Sequence, residues 1–232
     1  IKEKNISDFA DFVIKEDILN KEKINEIFKD FKPDLLLHLA ARAGVRPSIE
    51  NPELYHRVNV EGTVNLLEAA KMAGTGRVVF ASSSSVYGNQ EKTPFSEEDL
   101  TEFPISPYAV TKRTAENICY TYSKVNGIKM TCLRFFTVYG PSGRPDMAPY
   151  LFTKSIEEGR SIKKFGNGSS KRDYTYIDDI VAGIVAACDN SFDYEIINLG
   201  NNKPVELNYF IALIEKLLNK KALIESAPIQ SG

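Results

Sequence analysis

Tyr108 and Lys112 stand four residues apart in Ser106-Pro107-Tyr108-Ala109-Val110-Thr111-Lys112, one above the other if the stretch is helical. Ser106 suits an N-cap and Pro107 a first helical position, so the sequence predicts a helix that starts here. A free tyrosine titrates near ~10 and is a poor base at neutral pH. A neighbouring ammonium and the positive end of a helix favour its phenolate, and such a pair can exchange a proton with a substrate hydroxyl. Upstream, Val78-Val79-Phe80-Ala81 runs into Ser82, Ser83, Ser84 and Ser85, then Val86-Tyr87-Gly88. A hydroxyl there could hydrogen-bond the same substrate oxygen that Tyr108 deprotonates, or the serines could satisfy backbone groups in a turn.

Alternating elements must carry these residues. Phe12–Ile18 reads as a short strand, and Lys21–Phe31 as a helix with Ile24, Ile27 and Phe28 at helical spacing. Leu35–Ala40 is a continuous apolar run, as in a strand buried on both faces of a parallel sheet. After a loop at 42–53, Leu54–Ala73 reads as a long helix with Val58, Val64, Leu67 and Ala70 inward, stopped by Gly74 and Gly76. Arg77–Ala81 is a strand, 89–106 a polar loop, Tyr108 to about Lys124 a helix and Ile128–Arg134 a strand. The alternation predicts an α/β fold with a doubly wound parallel sheet, whose ligands sit outside the carboxyl ends of the strands. Beyond 141 the texture changes. Helices are expected at Ala148–Glu158, Asp178–Cys188 and Leu207–Asn219, strands at Tyr174–Ile177 and Glu195–Leu199. We expect one domain at 1–140 and a smaller mixed α/β lobe at 141–232, with 174–200 returning to the sheet.

The 232 residues carry a net charge of −2, which gives no electrostatic reason to expect nucleic acid or an anionic membrane as partner. No apolar run is long enough for a transmembrane helix. Cys119, Cys132 and Cys188 are an odd, widely spaced set, which argues against a disulfide framework or a zinc site and fits a reducing cytosol.

Ser-x-x-Val86-Tyr87-Gly88, Tyr108-x-x-x-Lys112 and Leu133-Arg134-Phe135-Phe136-Thr137-Val138-Tyr139-Gly140-Pro141 occur in this order, and together resemble the extended short-chain dehydrogenase/reductase superfamily, its NAD-dependent nucleotide-sugar epimerases and dehydratases above all. His38-Leu39-Ala40-Ala41-Arg42-Ala43-Gly44-Val45-Arg46 and Gly143-Arg144-Pro145-Asp146-Met147-Ala148 are similar to the UDP-glucuronate 4-epimerases. The resemblance implies a Rossmann domain that carries NAD, a smaller domain that takes a UDP-sugar, and a homodimer built on the Tyr108 and Leu54–Ala73 helices. It implies Tyr108 as base, Lys112 on the nicotinamide ribose, and Ser83 in the catalytic Ser/Thr position. Asp17 and Ile18 match an adenine-contacting pair; Ala40, Ala41 and Arg42 match the loop beneath the cofactor; Asn59 and Ser82 complete that set. Ser84, Ser85 and Thr137 would meet the sugar, Arg144 and Arg172 the UDP phosphates, while Asp146, Phe165 and Tyr174 would line the nucleotide site. The dehydratases carry Asp-Glu where this chain has Ser84 and Ser85, which argues against dehydration.

Plainer roles stand beside these. Arg42 and Arg46 could be solvated, Arg172 could pair with Asp173, and Phe165 could be a core residue. Ile118 and Tyr122 could face a second copy or the chain's own core. His38, inside an apolar strand, reads as a core residue and His56 as a helix-surface one. The family's GxxGxxG turn, which brings a helix N-terminus to the pyrophosphate, has no counterpart before Gly44, and the chain stops at Gly232. We therefore expect a truncated chain. A catalytically inactive relative on the same fold is the alternative from another class.

Overall fold

A strand that is apolar on both faces needs a helical layer on each side, and Val78–Ala81 meets that condition. In the computed structural model, which describes residues 13–228, the elements in chain order are α1 (Lys21–Phe31), β1 (Leu35–His38), α2 (Val45–Glu50), α3 (Pro52–His56), a π turn (Arg57–Glu61), α4 (Gly62–Ala73), β2 (Arg77–Ser83), a 3-10 turn (Ser84–Tyr87), α5 (Pro107–Asn126) and β3 (Lys129–Phe135). Next come β4 (Thr137–Tyr139), α6 (Ala148–Glu157), β5 (Ser161–Phe165), β6 (Lys171–Tyr176), α7 (Ile177–Asp189), β7 (Tyr194–Leu199), β8 (Pro204–Glu206), α8 (Leu207–Leu218) and β9 (Leu223–Ala227). Two compact units result. The larger holds residues 13–135 and Val181–Leu199, the smaller Phe136–Ile180 and 200–228.

The larger unit is built on a four-stranded parallel sheet in the order β1-β2-β3-β7. Alternation along β2 and β3 sends Val78, Phe80, Met130 and Cys132 to one face, packed on Leu67 of α4 with Ala115 and Cys119 of α5. It sends Val79 and Leu133 to the other, against Ile184, Ala187 and Cys188 of α7. This is the doubly wound α/β arrangement expected, and α1 covers α4 through Ile24, Phe28, Leu66 and Ala70. Ile118 and Tyr122 pack on the unit's own core, with the Tyr122 hydroxyl bonded to Glu68 of α4.

The smaller unit has a three-stranded sheet, β4-β6-β8, and the parallel pair β5–β9. Ile156 and Ile162 pack there on Ile211 and Ile214 of α8. It is β7 that joins the large sheet, whereas β6 pairs with β4 and β8.

Several expectations are corrected. Phe12 lies outside the described residues, and 13–17 are irregular where a strand was expected, followed by a turn at Ile18 and Leu19. The loop at 42–53 contains α2 and the start of α3. The strands β4, β5, β8 and β9 were not legible: β4 and β8 have three residues each, and exposed polar side chains break the alternation of β5 and β9. The phase drawn through Val58 and Val64 also fails. Both are half-buried, while Tyr55, Asn59 and Thr63, at i, i+4 and i+8 on one helix face, are buried.

Candidate active site

Helix α5 starts where its sequence says it should. Ser106 is extended, and its side chain accepts the Ala109 N–H at 3.2 Å, with Pro107 in the first turn. Tyr108 is half-buried, edge-on to Tyr55 with ring centroids 6.3 Å apart. One turn on, Lys112 is buried and its Nζ donates to the Ala81 carbonyl at 2.6 Å, 4.8 Å from the centre of the Phe80 ring. Burial pulls this ammonium down to about 8. Ala81 lies two residues before Ser83, so Lys112 pins α5 to the strand end that delivers the serines.

Those serines have different fates. Ser83 caps the 3-10 turn, accepting the Ser85 N–H at 3.2 Å and the Ser85 hydroxyl at 2.9 Å. Its oxygen is thus occupied as an acceptor, and its own hydrogen is left to donate. Ser84 and Ser85 are half-buried within that turn. Ser82 points inward and donates to Glu116 Oε1 at 2.6 Å, so its hydroxyl is engaged in the core. Gly88, at φ +63°, closes the turn, and a Cβ there would come within 2.5 Å of the Phe103 carbonyl.

Glu116 was not picked out from the sequence, although it lies four residues beyond Lys112 on the same face of α5. Its carboxylate takes Arg134 Nε and Nη2 at 2.9 Å each and Arg113 Nη1 at 3.2 Å, and its side chain is 0% exposed. Because Ser82 is on β2 and Arg134 on β3, one carboxylate fastens the Tyr108 helix to both strand ends. Tyr87 lies under the Arg134 guanidinium at 4.8 Å and donates to Asn198 Oδ1 of β7 at 2.7 Å.

On the β1 side, Ala40, Ala41 and Arg42 form an irregular loop. Asn59 has its amide engaged by hydrogen bonds within the protein. It is 2% exposed; its Oδ1 accepts the Arg42 N–H at 2.7 Å, and its Nδ2 donates to the Arg42 carbonyl and to Thr111 Oγ1, each at 3.0 Å. The amide thus clasps the Arg42 loop to α5. Tyr55 donates to the Ala43 carbonyl at 2.8 Å. His38 is buried, 2.9 Å from Thr63 Oγ1, and burial drives it down to about 3, aided by the Lys112 charge. Asp17 caps its own turn, accepting the Leu19 N–H at 3.0 Å. Ile18 rests on Gly62, where a Cβ would lie 2.5 Å from its Cδ1. That close approach is why α4 begins with glycine.

The remaining expected residues lie in the smaller unit. Thr137 of β4 is register partner of Tyr174 of β6, and the Tyr174 ring stacks on Phe210 at 4.9 Å. Phe165, half-buried, ends β5 opposite Ala227. Arg144 and Asp146 grip each other through Nε–Oδ1 at 3.0 Å and Nη2–Oδ2 in an exposed loop. Arg172 is exposed, and its guanidinium donates to the Lys171 carbonyl at 3.0 Å. The pairing of Arg172 with Asp173 is not formed: Asp173 accepts the N–H groups of Asn202 at 2.9 Å and Lys203 at 3.4 Å. Among the described residues no cluster of His, Cys, Asp or Glu could hold a metal, and no helix is long and apolar enough to cross a membrane.

Comparison with known proteins adds an independent line. Residues 2–200 match the model of the NAD dependent epimerase/dehydratase family. A protein of Methanocaldococcus jannaschii, MJ1055, is 52% identical over 94% of this chain and 67% of its own. A UDP-glucuronate 4-epimerase of Thermodesulfobacterium geofontis is 47% identical over 89% of this chain and 64% of its own. This chain thus spans about two thirds of the length of these relatives. The crystal structure of the Bacillus cereus UDP-glucuronic acid 4-epimerase in complex with UDP-glucuronic acid and NAD superposes with a TM-score of 0.90 at 37% identity, over 100% of this chain and 74% of that one.

Proposed function

The chain belongs to the NAD dependent epimerase/dehydratase family, and on that premise we propose that the protein is an NAD-dependent UDP-glucuronate 4-epimerase, which interconverts UDP-glucuronate and UDP-galacturonate through a 4-keto sugar. The observation that carries this reading is the attachment of Lys112 to Ala81, which holds an ammonium one turn from Tyr108 at the strand end bearing Ser83. The similarity to enzymes that act on UDP-glucuronate supports the choice of sugar.

The residues present fit the nicotinamide end of NAD. An ammonium has three hydrogens, and Lys112 spends one on Ala81, which leaves donors for ribose hydroxyls at the sheet edge where the Ala40–Arg42 loop also emerges. Asp17 and Ile18 would meet the adenosine. No glycine precedes Gly44, so these residues include no glycine-rich turn for the pyrophosphate. When bound, the nicotinamide supplies the acceptor and later the donor of a hydride at C4 of the sugar.

Tyr108 takes the proton of the sugar 4-hydroxyl and returns it after the ketone has presented its other face. Lys112 favours the phenolate electrostatically. Ser83, its acceptor capacity occupied by Ser85, donates to the same oxygen. Ser84, Ser85 and Thr137 hold the carboxylate of the uronate, whose 4-keto form would otherwise lose carbon dioxide. Arg144 and Arg172 bind the UDP phosphates, a role that suits a guanidinium fork, while Asp146, Phe165 and Tyr174 line the nucleotide site. Firm binding at the UDP end and looser binding at the sugar permit the rotation that inverts C4.

A homodimer and a reducing, cytosolic setting belong to the same proposal. Ile118 and Tyr122 face inward, so a partner would meet the exposed Val110, Tyr120 and Val125 of α5. Light scattering on the purified protein gives its mass. The three cysteines are free thiols.

The deciding experiment incubates the full-length protein with UDP-glucuronate and, separately, UDP-glucose, and follows both by NMR. A C4-inverted uronate is expected. Inversion of UDP-glucose alone would favour a UDP-glucose 4-epimerase, pentose formation a decarboxylase, and no product from either sugar an inactive relative.

A further inference from the structure

Between the serine turn and the Tyr108 helix, residues 88–103 form a loop whose ends meet. A Cβ on Gly88 would lie 2.5 Å from the Phe103 carbonyl oxygen. One end continues from Tyr87, the last residue of the turn that holds Ser84 and Ser85; the other leads into Ser106, the cap of α5. We infer that Asn198 and Glu97 are positioning residues, which latch this loop onto β7 and so set the serine turn against the helix carrying Tyr108 and Lys112. The catalytic consequence rests on the epimerase reading, whereas the latch itself stands on hydrogen-bond geometry.

The backbone N–H, Oδ1 and Nδ2 of Asn198 all bond to the segment Tyr87–Glu97. The Phe95 carbonyl can only accept, so it faces Nδ2 at 3.3 Å, and Oδ1 is left to accept the Tyr87 hydroxyl at 2.7 Å. A flipped amide would set two acceptors against each other. β7 is the last strand of its sheet, and Glu97 Oε1 takes the Asn198 N–H at 2.8 Å in place of a further strand. The Tyr87 ring stacks on Phe95 with centroids 4.7 Å apart. One residue of β7 thus holds positions 87, 95 and 97 together.

The loop is also tied to itself, so a latch at two positions fixes all of it. Asp99 takes the Ser96 N–H at 2.7 Å and the Lys92 ammonium, and Gln90 donates to the Leu100 carbonyl. Asn198 is the register partner of Arg134, whose guanidinium lies over Tyr87 and grips Glu116 of α5. Helix α5 therefore reaches the Tyr87–Asn198 contact by two routes. Glu116 and Arg134 hold the helix about two turns beyond Tyr108. The loop holds its first turn, where Tyr108 stands. An asparagine serves at 198 because it offers an acceptor and a donor on one short stem. An aspartate would turn an oxygen on the Phe95 carbonyl, beside the Glu97 carboxylate.

The test uses Glu97→Ala, with Glu97→Gln as the conservative rescue that keeps an acceptor and Asn198→Asp as the stronger lesion. Trypsin cleavage after Lys92 in the substrate-free, full-length protein reports release of the loop without reference to activity, because such cuts track the population of the locally open form. Cleavage after Arg160, in the other unit, is the internal control. Glu97→Ala should speed the cut after Lys92 about tenfold, the equivalent of roughly one hydrogen bond, and leave the cut after Arg160 unchanged. It should lower kcat for UDP-glucuronate about ten- to a hundredfold, as expected for misplaced reacting groups, with KM within about twofold. Glu97→Gln should restore both, and Asn198→Asp should exceed Glu97→Ala in both. Unchanged cleavage after Lys92 in Glu97→Ala and Asn198→Asp overturns the assignment. So do faster cleavage with full kcat, an equal rise at Arg160, and equal impairment of the Ala and Gln variants. Should the wild-type protein epimerise no UDP-sugar, the epimerase reading fails and the cleavage rates alone decide on the latch.

Discussion

In the larger unit, Arg134 and Glu116 pair with side chains 1% and 0% exposed; in the smaller unit, Arg144 and Asp146 form a similar fork with side chains 44% and 56% exposed. The chemistry is the same and the setting differs. A buried guanidinium–carboxylate pair gains little net stability but is costly to break, so it fixes one arrangement of β2, β3 and α5. An exposed pair is worth little and can release its partner when a better anion arrives. The groups proposed to do chemistry thus stand on the rigid kind of pair, whereas those proposed to bind phosphate stand on the exchangeable kind.

The largest effect expected is that of Tyr108→Phe. Removal of a general base costs about 10²–10⁴ in rate, so kcat for UDP-glucuronate should fall at least that far while urea unfolding stays near wild type. Full activity in this variant would remove Tyr108 from the mechanism. Next comes Glu116→Gln, which leaves the buried Arg134 uncompensated and should cost about 3–5 kcal/mol of stability, measured by urea unfolding. The double variant Glu116→Met/Arg134→Met should recover much of that loss. If it does not, the pair contributes more than mutual compensation, and the contrast between the units is sharper than drawn.

Sequence reasoning was strongest where local rules coincide with the fold. Ser106-Pro107 announced α5, and the alternating apolar runs announced β2 and β3 with their helices. Tyr108, Lys112 and Ser83 could be singled out because motif order and strand-end position agree. Glu116 and Asn59 show what was out of reach. A glutamate in mid-helix reads as surface until Ser82 and Arg134 are brought to it by strand pairing, and that contact spans 34 residues to one and 18 to the other. The inward face of residues 54–64 runs through Tyr55, Asn59 and Thr63 rather than Val58 and Val64, and its polar members show no hydrophobic spacing because internal hydrogen bonds, not apolar contacts, bury them. In the smaller unit, the chemistry of Arg144 and Arg172 was legible, but strands as short as β4 and β8 carry too few residues to show alternation.

Two pH effects probe the rigid side of the comparison. Lys112 titrates at about 8 because burial penalises its charge, so the ammonium is lost as pH rises through that value. With it goes the field that favours the Tyr108 phenolate. The pH profile of kcat/KM, which reports the enzyme before substrate binds, should therefore fall on the alkaline side with a midpoint near 8; a flat profile up to about pH 10, the ordinary range of a lysine, would detach Lys112 from the base. His38 gives the smaller effect. Its ordinary value is 6.5 and burial lowers it to about 3, so between these limits the unfolded chain binds a proton that the folded one refuses. Stability should decline as pH falls through that window, by up to ~1.4 kcal/mol per pH unit. In His38→Gln the decline should flatten, as read from urea midpoints at several pH values.

The smallest effect on stability is expected on the exchangeable side. Arg144→Ala removes an exposed pair and should leave the urea midpoint within about 0.5 kcal/mol of wild type. Yet a guanidinium that moves from Asp146 to a phosphate makes charged hydrogen bonds worth roughly 1.5–3 kcal/mol. The dissociation constant for UDP, measured by calorimetry on the full-length protein, should therefore rise about tenfold or more. Arg144→Lys should recover only part of it, because an ammonium cannot form the fork. Asp146→Asn sharpens the point in the opposite direction: with the intramolecular competitor weakened, UDP should bind at least as tightly as to the wild type. Should Arg144→Ala bind UDP normally, the exposed fork is a surface ion pair with no phosphate to receive, and the difference between the two units reduces to burial alone.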